Sequence, residues 1–187
     1  MQGLLKLSAA IDRLLAGVAK IGAWAGLALV LVVMYDVISR YFGVPKPFGL
    51  NSTQIQESEY WLHTVLFSLV IGYAYTKQTH VRIDLVRERL RVRTRLLIEF
   101  LGCTFLLIPF TVVALYYQFL YARASFLEGE ASKSVIGLTN IWILKSFLVA
   151  MFILLLLAAI SQLIKSLAGY LGKLPEDTVT EIAGKEH

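Results

Sequence analysis

Cysteine is nearly absent from this chain. Cys103 is the only one, so no intrachain disulfide can form, and its place inside an apolar run reads as a small buried hydrophobe. Histidine is scarce too. His63, His80 and His187 form no cluster with metal-ligand spacing. His63 and His80 lie roughly 25 Å apart along a helix, so they cannot share one haem, although His63 alone could ligate one. No Gly-rich phosphate loop and no nucleophile elbow is present, which leaves catalysis without a residue set. Charged residues make up only 17% of the chain and cluster at the ends of apolar runs. That pattern lacks the midplane ionisable groups of a self-contained transport path. No cleavable signal peptide is expected, because the first apolar run starts too late and is too long. No internal repeat is evident.

What the chain has in excess is apolar length. It is 57% hydrophobic over 187 residues, with mean hydropathy +0.68, which fits a small all-α membrane protein with room for one bundle. Four long apolar runs cover residues 21–39, 60–76, 100–122 and 141–164. Each approaches the roughly 17–25 residues that cross a ~30 Å hydrocarbon core. Together they define a transmembrane domain over 21–168, preceded by residues 1–20 and followed by a polar tail over 169–187.

Charge sets the expected orientation. The loop between the second and third runs carries Lys77, Arg82, Arg87, Arg89, Arg91, Arg93 and Arg95. Lys and Arg resist translocation, so this loop is expected in the cytoplasm. With four crossings, both termini join it. Lys6, Arg13, Lys20, Lys165, Lys173 and Lys185 then also lie inside, and only Arg40, Lys46, Arg123, Lys133 and Lys145 lie outside. The net charge of +5 is thus read as topology and anionic-lipid contact, not as nucleic-acid binding.

Residues 4–20 have the pattern of an amphipathic helix in the cytoplasmic interface. Leu4, Leu7, Ile11, Leu14, Leu15 and Val18 share one arc, and Lys6, Arg13 and Lys20 face headgroups on the other side. A simple extension of the first membrane helix is the alternative. Arg87, Arg89 and Arg91 are further candidates for headgroup contact. Asp36 and Arg40, spaced i and i+4, end the first run as a local ion pair or as a contact to another subunit. Gly22 and Gly26 allow close helix approach. Pro45, Pro47 and Gly49 mark an outer loop. Glu57 and Glu59 open the second run, with Tyr60 and Trp61 at interface level. Pro109 is expected to kink the third run. Lys145 can snorkel outward or pair with Glu128 or Glu130.

The run "QESEYWLHTVLFSLVIGYAYTKQTHVRIDL" resembles the small membrane subunit of tripartite ATP-independent periplasmic (TRAP) transporters. The resemblance rests on an acidic opening to an aromatic-rich span and on the following turn His80-Val81-Arg82-Ile83-Asp84. "SRYFG" after the first run, Glu130 and Ser132 in "EGEAS", Gly137-Leu138, and Trp142 with Lys145 in "IWILK" are similar as well. The later features resemble the branch with larger small subunits, often linked to carboxylate substrates. Where many relatives have Gly before the turn, this chain has Thr76-Lys77-Gln78-Thr79.

The resemblance implies a non-enzymatic permease subunit in the bacterial inner membrane. A large membrane subunit would carry substrate and sodium ions, and a periplasmic binding protein would deliver an organic anion. This chain itself would need no cofactor. Asp36, Arg40, Glu57, Glu59, Trp61, His80, Arg82 and Asp84 are candidates for the large-subunit interface or a structural turn. Lys46, Arg123, Glu128, Glu130 and Lys133 are candidates for docking the binding protein. Two other readings compete: the membrane anchor of an oxidoreductase, with haem or quinone, and a small homodimeric transporter.

Overall fold

The computed structural model describes residues 1–45, 49–79, 90–134, 136–174 and 178–179, and every regular element among them is helical. Helix α1 spans Gln2–Phe42, α2 Ser52–Thr76, α3 Val92–Gly102, α4 Ile108–Leu127 and α5 Ile141–Tyr170. Lys46, His80, Arg82, Asp84, Arg87 and Arg89 lie outside the described residues.

Residues 2–42 form one unbroken helix. The expected boundary at residue 20 is therefore not a helix end, and the N-terminal segment runs straight into the first apolar span. At about 1.5 Å per residue such a helix is roughly 60 Å long, twice a ~30 Å hydrocarbon core. The face its first turns bury is shifted from the leucine-rich arc and overlaps it at Leu15, with Ile11 and Val18 packed alongside. Ser8, Leu15 and Ala19 are buried, whereas Leu4, Leu7 and Leu14 are about half exposed. Lys6, Arg13 and Lys20 are exposed, as their spacing predicted. Gly43 stops α1 by adopting φ 65°, a left-handed conformation that costs glycine little.

Helices α3 and α4 are two parts of one rod, joined through a π-helical turn at Cys103–Leu107. Pro109 follows directly, in the first turn of α4. Proline has no N–H to donate, and a widened turn absorbs the misfit. Thr111, fully buried, satisfies its own hydroxyl by donating to the Leu107 carbonyl one turn back at 2.6 Å.

By length and composition, α1, the α3–α4 rod and α5 can each cross a membrane. Helix α2 has 25 residues, yet Glu57, Glu59 and His63 in its first half lower its apolarity. In their most apolar windows α5 is 39% buried, against 11% for α1 and 17% for the rod. Helix α5 is therefore the centre of the bundle. Small residues let the others reach it: Ala158, Ala159, Ser161 and Ala168 are fully buried. Gly72 of α2 lies so near α5 that a Cβ there would sit 2.8 Å from the Leu154 carbonyl oxygen. Gly22 and Gly26 face Leu66, Leu69 and Val70 of α2 in the same manner, consistent with the spacing read from the sequence.

Candidate functional site

Polar side chains gather at the two ends of the bundle. At the first end lie the close of α1, the start of α2 and the 128–140 loop. Arg40 and Asp36 form the i,i+4 ion pair the sequence suggested, with Arg40 Nε donating to Asp36 Oδ1 at 3.1 Å. Gln56 of α2, with its amide oxygen turned to the guanidinium, accepts from Arg40 at 3.0 Å. Asp36 itself is buried. Helix α2 starts with a capping box: Asn51 Oδ1 accepts from the Gln54 N–H at 2.9 Å, and Gln54 Oε1 accepts from the Asn51 N–H at 3.2 Å. Asn51 Nδ2 also donates to the Ile136 carbonyl at 3.1 Å.

Glu57 holds the loop. It accepts hydrogen bonds from the Ser132 hydroxyl and from the Leu138 N–H. Gly137 sits where a Cβ would collide with both Ser132 and Glu57. The loop also closes on itself through Ser132 N–H to the Leu138 carbonyl, 3.0 Å, and Ile141 N–H to the Glu130 carbonyl, 3.1 Å. Glu130 pairs with Lys145, which decides between the two carboxylates the sequence offered. Lys145 is buried and also lies 3.6 Å from the centroid of the Tyr121 ring. The hydrogen bond from Lys145, helped by Ser125, holds the Glu130 carboxyl below its ordinary range.

The remaining candidates are more dispersed. Glu59 has one buried carboxylate oxygen without a hydrogen-bond partner, and Trp61 is half-buried. Glu128 and Lys133 are exposed in the loop. Arg123 is on α4 and lines an apolar cleft of about 410 Å³ with Phe126 and Trp142. Arg91 is exposed before α3. Arg95 of the basic stretch is buried and donates to the Leu90 carbonyl at 2.9 Å. Arg93 is exposed, 5.8 Å from the centroid of the Tyr170 ring on α5.

The opposite end holds a polar seam that the sequence reading missed. Ser8 and Ser161 share a hydrogen bond of 2.8 Å. Ser161 also bonds to Asp12 Oδ1 at 2.7 Å, and Asp12 pairs with Lys165. Ser8 and Asp12 are one turn apart on α1, and Ser161 and Lys165 are one turn apart on α5. Matching i,i+4 polar pairs at the same end of two apolar helices were the available signal. Among the described residues no three His, Cys, Asp or Glu side chains gather as a metal site. The arrangement fastens helices and loops together rather than presenting reactive groups.

One family model matches the chain over residues 29–169, that of the tripartite ATP-independent periplasmic transporters, DctQ component. The chain belongs to the DctQ family. Among curated proteins and solved structures, none matches it. The matched region takes in every residue of the Glu57 clasp and the Glu130–Lys145 pair. The DctQ component is the small permease subunit of a TRAP transporter, a multi-pass inner-membrane protein and a transporter part rather than an enzyme.

Proposed function

We propose that this DctQ component is a stationary scaffold for the large membrane subunit. In this reading that subunit carries an organic anion, a carboxylate by the family branch, together with sodium ions. A periplasmic binding protein delivers the substrate. The observation that carries the reading is the apolar surface of α1 and the α3–α4 rod. Trp24, Val37 and Tyr41 on α1, Phe105 and Leu106 in the π-helical turn, and Phe110 on α4 are each more than half exposed. Such a surface suits lipid and a partner's helices. The internal polar groups described above are spent on fastening.

The bundle also crosses four times in this reading, with both termini in the cytoplasm. Support comes from the ends of α2. Its start is tied to the close of α1 and to the 128–140 loop, and its last turns lie beside Arg13 and Lys165. It thus runs from the close of α1 to the level of Arg13, and Glu57, Glu59 and His63 lie in its outer half. The basic stretch then stays inside. Arg123 and Lys133 then fall outside, on the side of the binding protein.

Isolation of the chain from its native membrane in mild detergent tests the scaffold role. A stoichiometric large polytopic carrier is expected to accompany it. Recovery with a flavoprotein or iron–sulfur protein, or a haem spectrum, would instead support an oxidoreductase anchor. Transport in liposomes by this chain alone would support the homodimer.

A further inference from the structure

Helices α4 and α5 touch at two levels and part between them. Near the loop that joins them, Phe126 and Trp142 meet edge to face with ring centroids 5.1 Å apart. Deeper in the bundle, Phe110 and Phe152 meet at 6.4 Å. Between these ring pairs lie Ala122 on α4 and Ser146 and Ala150 on α5, which are too small to fill the gap. The result is an open cleft of about 410 Å³.

The shape of the cleft selects a chain rather than a helix. Phe119, Ala122, Arg123 and Phe126 follow at i, i+3, i+4 and i+7 on one face of α4, and the α5 side runs from Trp142 to Ile153. Between Trp142 and Ile153 an α-helix rises about 16 Å, close to half of a ~30 Å hydrocarbon core and so to one acyl chain of one leaflet. About 410 Å³ over that length is a cross-section of about 25 Å². A hydrocarbon chain fits that slot, and a helix ~10–12 Å across does not.

The charge sits at one end. Among the described residues, Arg123 is the one charged side chain that lines the cleft. It lies about one turn before the end of α4 at Leu127, beside Trp142, the level at which indoles and snorkelling cations meet headgroups. Arg123 is exposed, and among the described residues it has no hydrogen bond or ion pair. The neighbouring carboxylates do not offset it. Glu130 is paired with Lys145, and Glu128 lies about 140° round the helix axis from Arg123. A free phosphate would meet one cation above an apolar slot. A phospholipid matches both parts, because guanidinium binds a phosphodiester and the slot takes a chain.

We propose that this cleft binds a phospholipid, with one acyl chain between α4 and α5 and the phosphodiester on the Arg123 guanidinium. The site does not depend on the transporter reading. The proposed topology only names the leaflet, which is the outer one.

The test uses the purified full-length chain in mild detergent, stripped of lipid. Bound lipid is read by native mass spectrometry and Tm by thermal unfolding. Phosphatidylethanolamine is expected to bind and to raise Tm. Diacylglycerol of the same chains lacks the phosphate and should bind about fivefold more weakly, the effect of one cation near a headgroup. Glycerol phosphate lacks the chains and should not displace the lipid. Arg123→Gln should weaken phosphatidylethanolamine binding about fivefold, and Lys133→Gln, which removes a cation of the same end outside the cleft, should bind as the wild type does. Ser146→Phe fills the cleft without changing charge and should lose the lipid. The fold should tolerate it, because Ser146 is exposed and its hydroxyl bonds back to the Trp142 carbonyl of its own helix. Equal binding by Arg123→Gln and Lys133→Gln would overturn the site in favour of diffuse attraction, as would full binding by Ser146→Phe. Displacement by glycerol phosphate would overturn the lipid as occupant. Loss of the lipid on co-isolation with the large subunit would overturn it in favour of a side chain of that subunit.

Discussion

Glu57 on α2 accepts a hydrogen bond from Ser132, a residue 75 positions further along the chain. The same carboxylate receives the Leu138 N–H, so one side chain fixes both sides of the loop that joins α4 to α5. Removing it strands two donors. Glu57→Ala is expected to cost about 1–3 kcal/mol, and Ser132→Ala about 1 kcal/mol, because Ser132→Ala leaves the Leu138 bond in place. Thermal unfolding in detergent would rank them. Equal stability of Glu57→Ala and wild type would mean that the loop holds its shape without the clasp.

Gly137 gives an independent check on the same clasp. Its added methyl would meet Ser132 and Glu57. Gly137→Ala should therefore destabilise the protein by about 1–3 kcal/mol through overpacking. Gly129→Ala would not be a clean control, since Gly129 has φ 59°. Gly102→Ala is cleaner, with nothing within 4 Å of the new Cβ. It should leave Tm unchanged or slightly higher, because alanine favours helix.

These contacts show what the sequence could convey and what it could not. The first, third and fourth apolar runs located the three helices long and apolar enough to cross a membrane, since periodicity and length are local properties. The Asp36–Arg40 pair was legible for the same reason, being an i,i+4 relation on one helix. For Lys145 the sequence leaves open snorkelling outward or a pair with Glu128 or Glu130, and the choice of Glu130 required the path of the loop. Glu57 was read as a favourable charge at a helix N-terminus; its partners are remote in sequence and appear only once α2 and the loop are packed. The Ser8–Asp12 and Ser161–Lys165 pairs were visible as spacing. The leucines of 4–18 point to a buried face centred away from Ser8 and Asp12, and the observed one overlaps it only on the side of Leu15. Gly72 carries no local signal, because what constrains it is the Leu154 backbone on another helix.

That close approach yields a third prediction. Gly72→Ala would place its Cβ 2.8 Å from the backbone oxygen of Leu154 and 3.0 Å from Leu15 Cδ2. Backbone cannot swing aside as a side-chain tip can, so α2 must move off α5. A loss of about 1–3 kcal/mol is expected, with lower yield of the assembled transporter. Gly17→Ala meets nothing within 4 Å and should be neutral in both assays.

The polar seam between α1 and α5 predicts coupling. Asp12 and Lys165 are partly buried, at 31% and 15% side-chain exposure, and Ser161 bonds to the same carboxylate. Asp12→Ala and Lys165→Ala should each destabilise the bundle, and the double variant should lose less than their sum. The expected coupling is about 1 kcal/mol, the range of partly screened pairs. Strict additivity in this double-mutant cycle would show that the two charges do not act as a pair.

The Glu130–Lys145 pair makes stability depend on pH in one direction. The Glu130 carboxyl is held below its ordinary value of 4.5, chiefly by the hydrogen bond from Lys145. A group whose native pKa is depressed adds stability above its unfolded pKa and loses it as pH falls through the lower native one. The contribution should thus be complete at neutral pH and fade only below about pH 4.5. Wild type should have the higher Tm at pH 7, and the gap to Glu130→Gln should close progressively as the pH is lowered towards 3. Glu130→Ala should be worse than Lys145→Met, since it leaves a buried cation unpaired, whereas Met keeps most of the packing against Tyr121. Parallel Tm curves for wild type and Glu130→Gln across the acid range would show that the Glu130 charge contributes nothing to the fold.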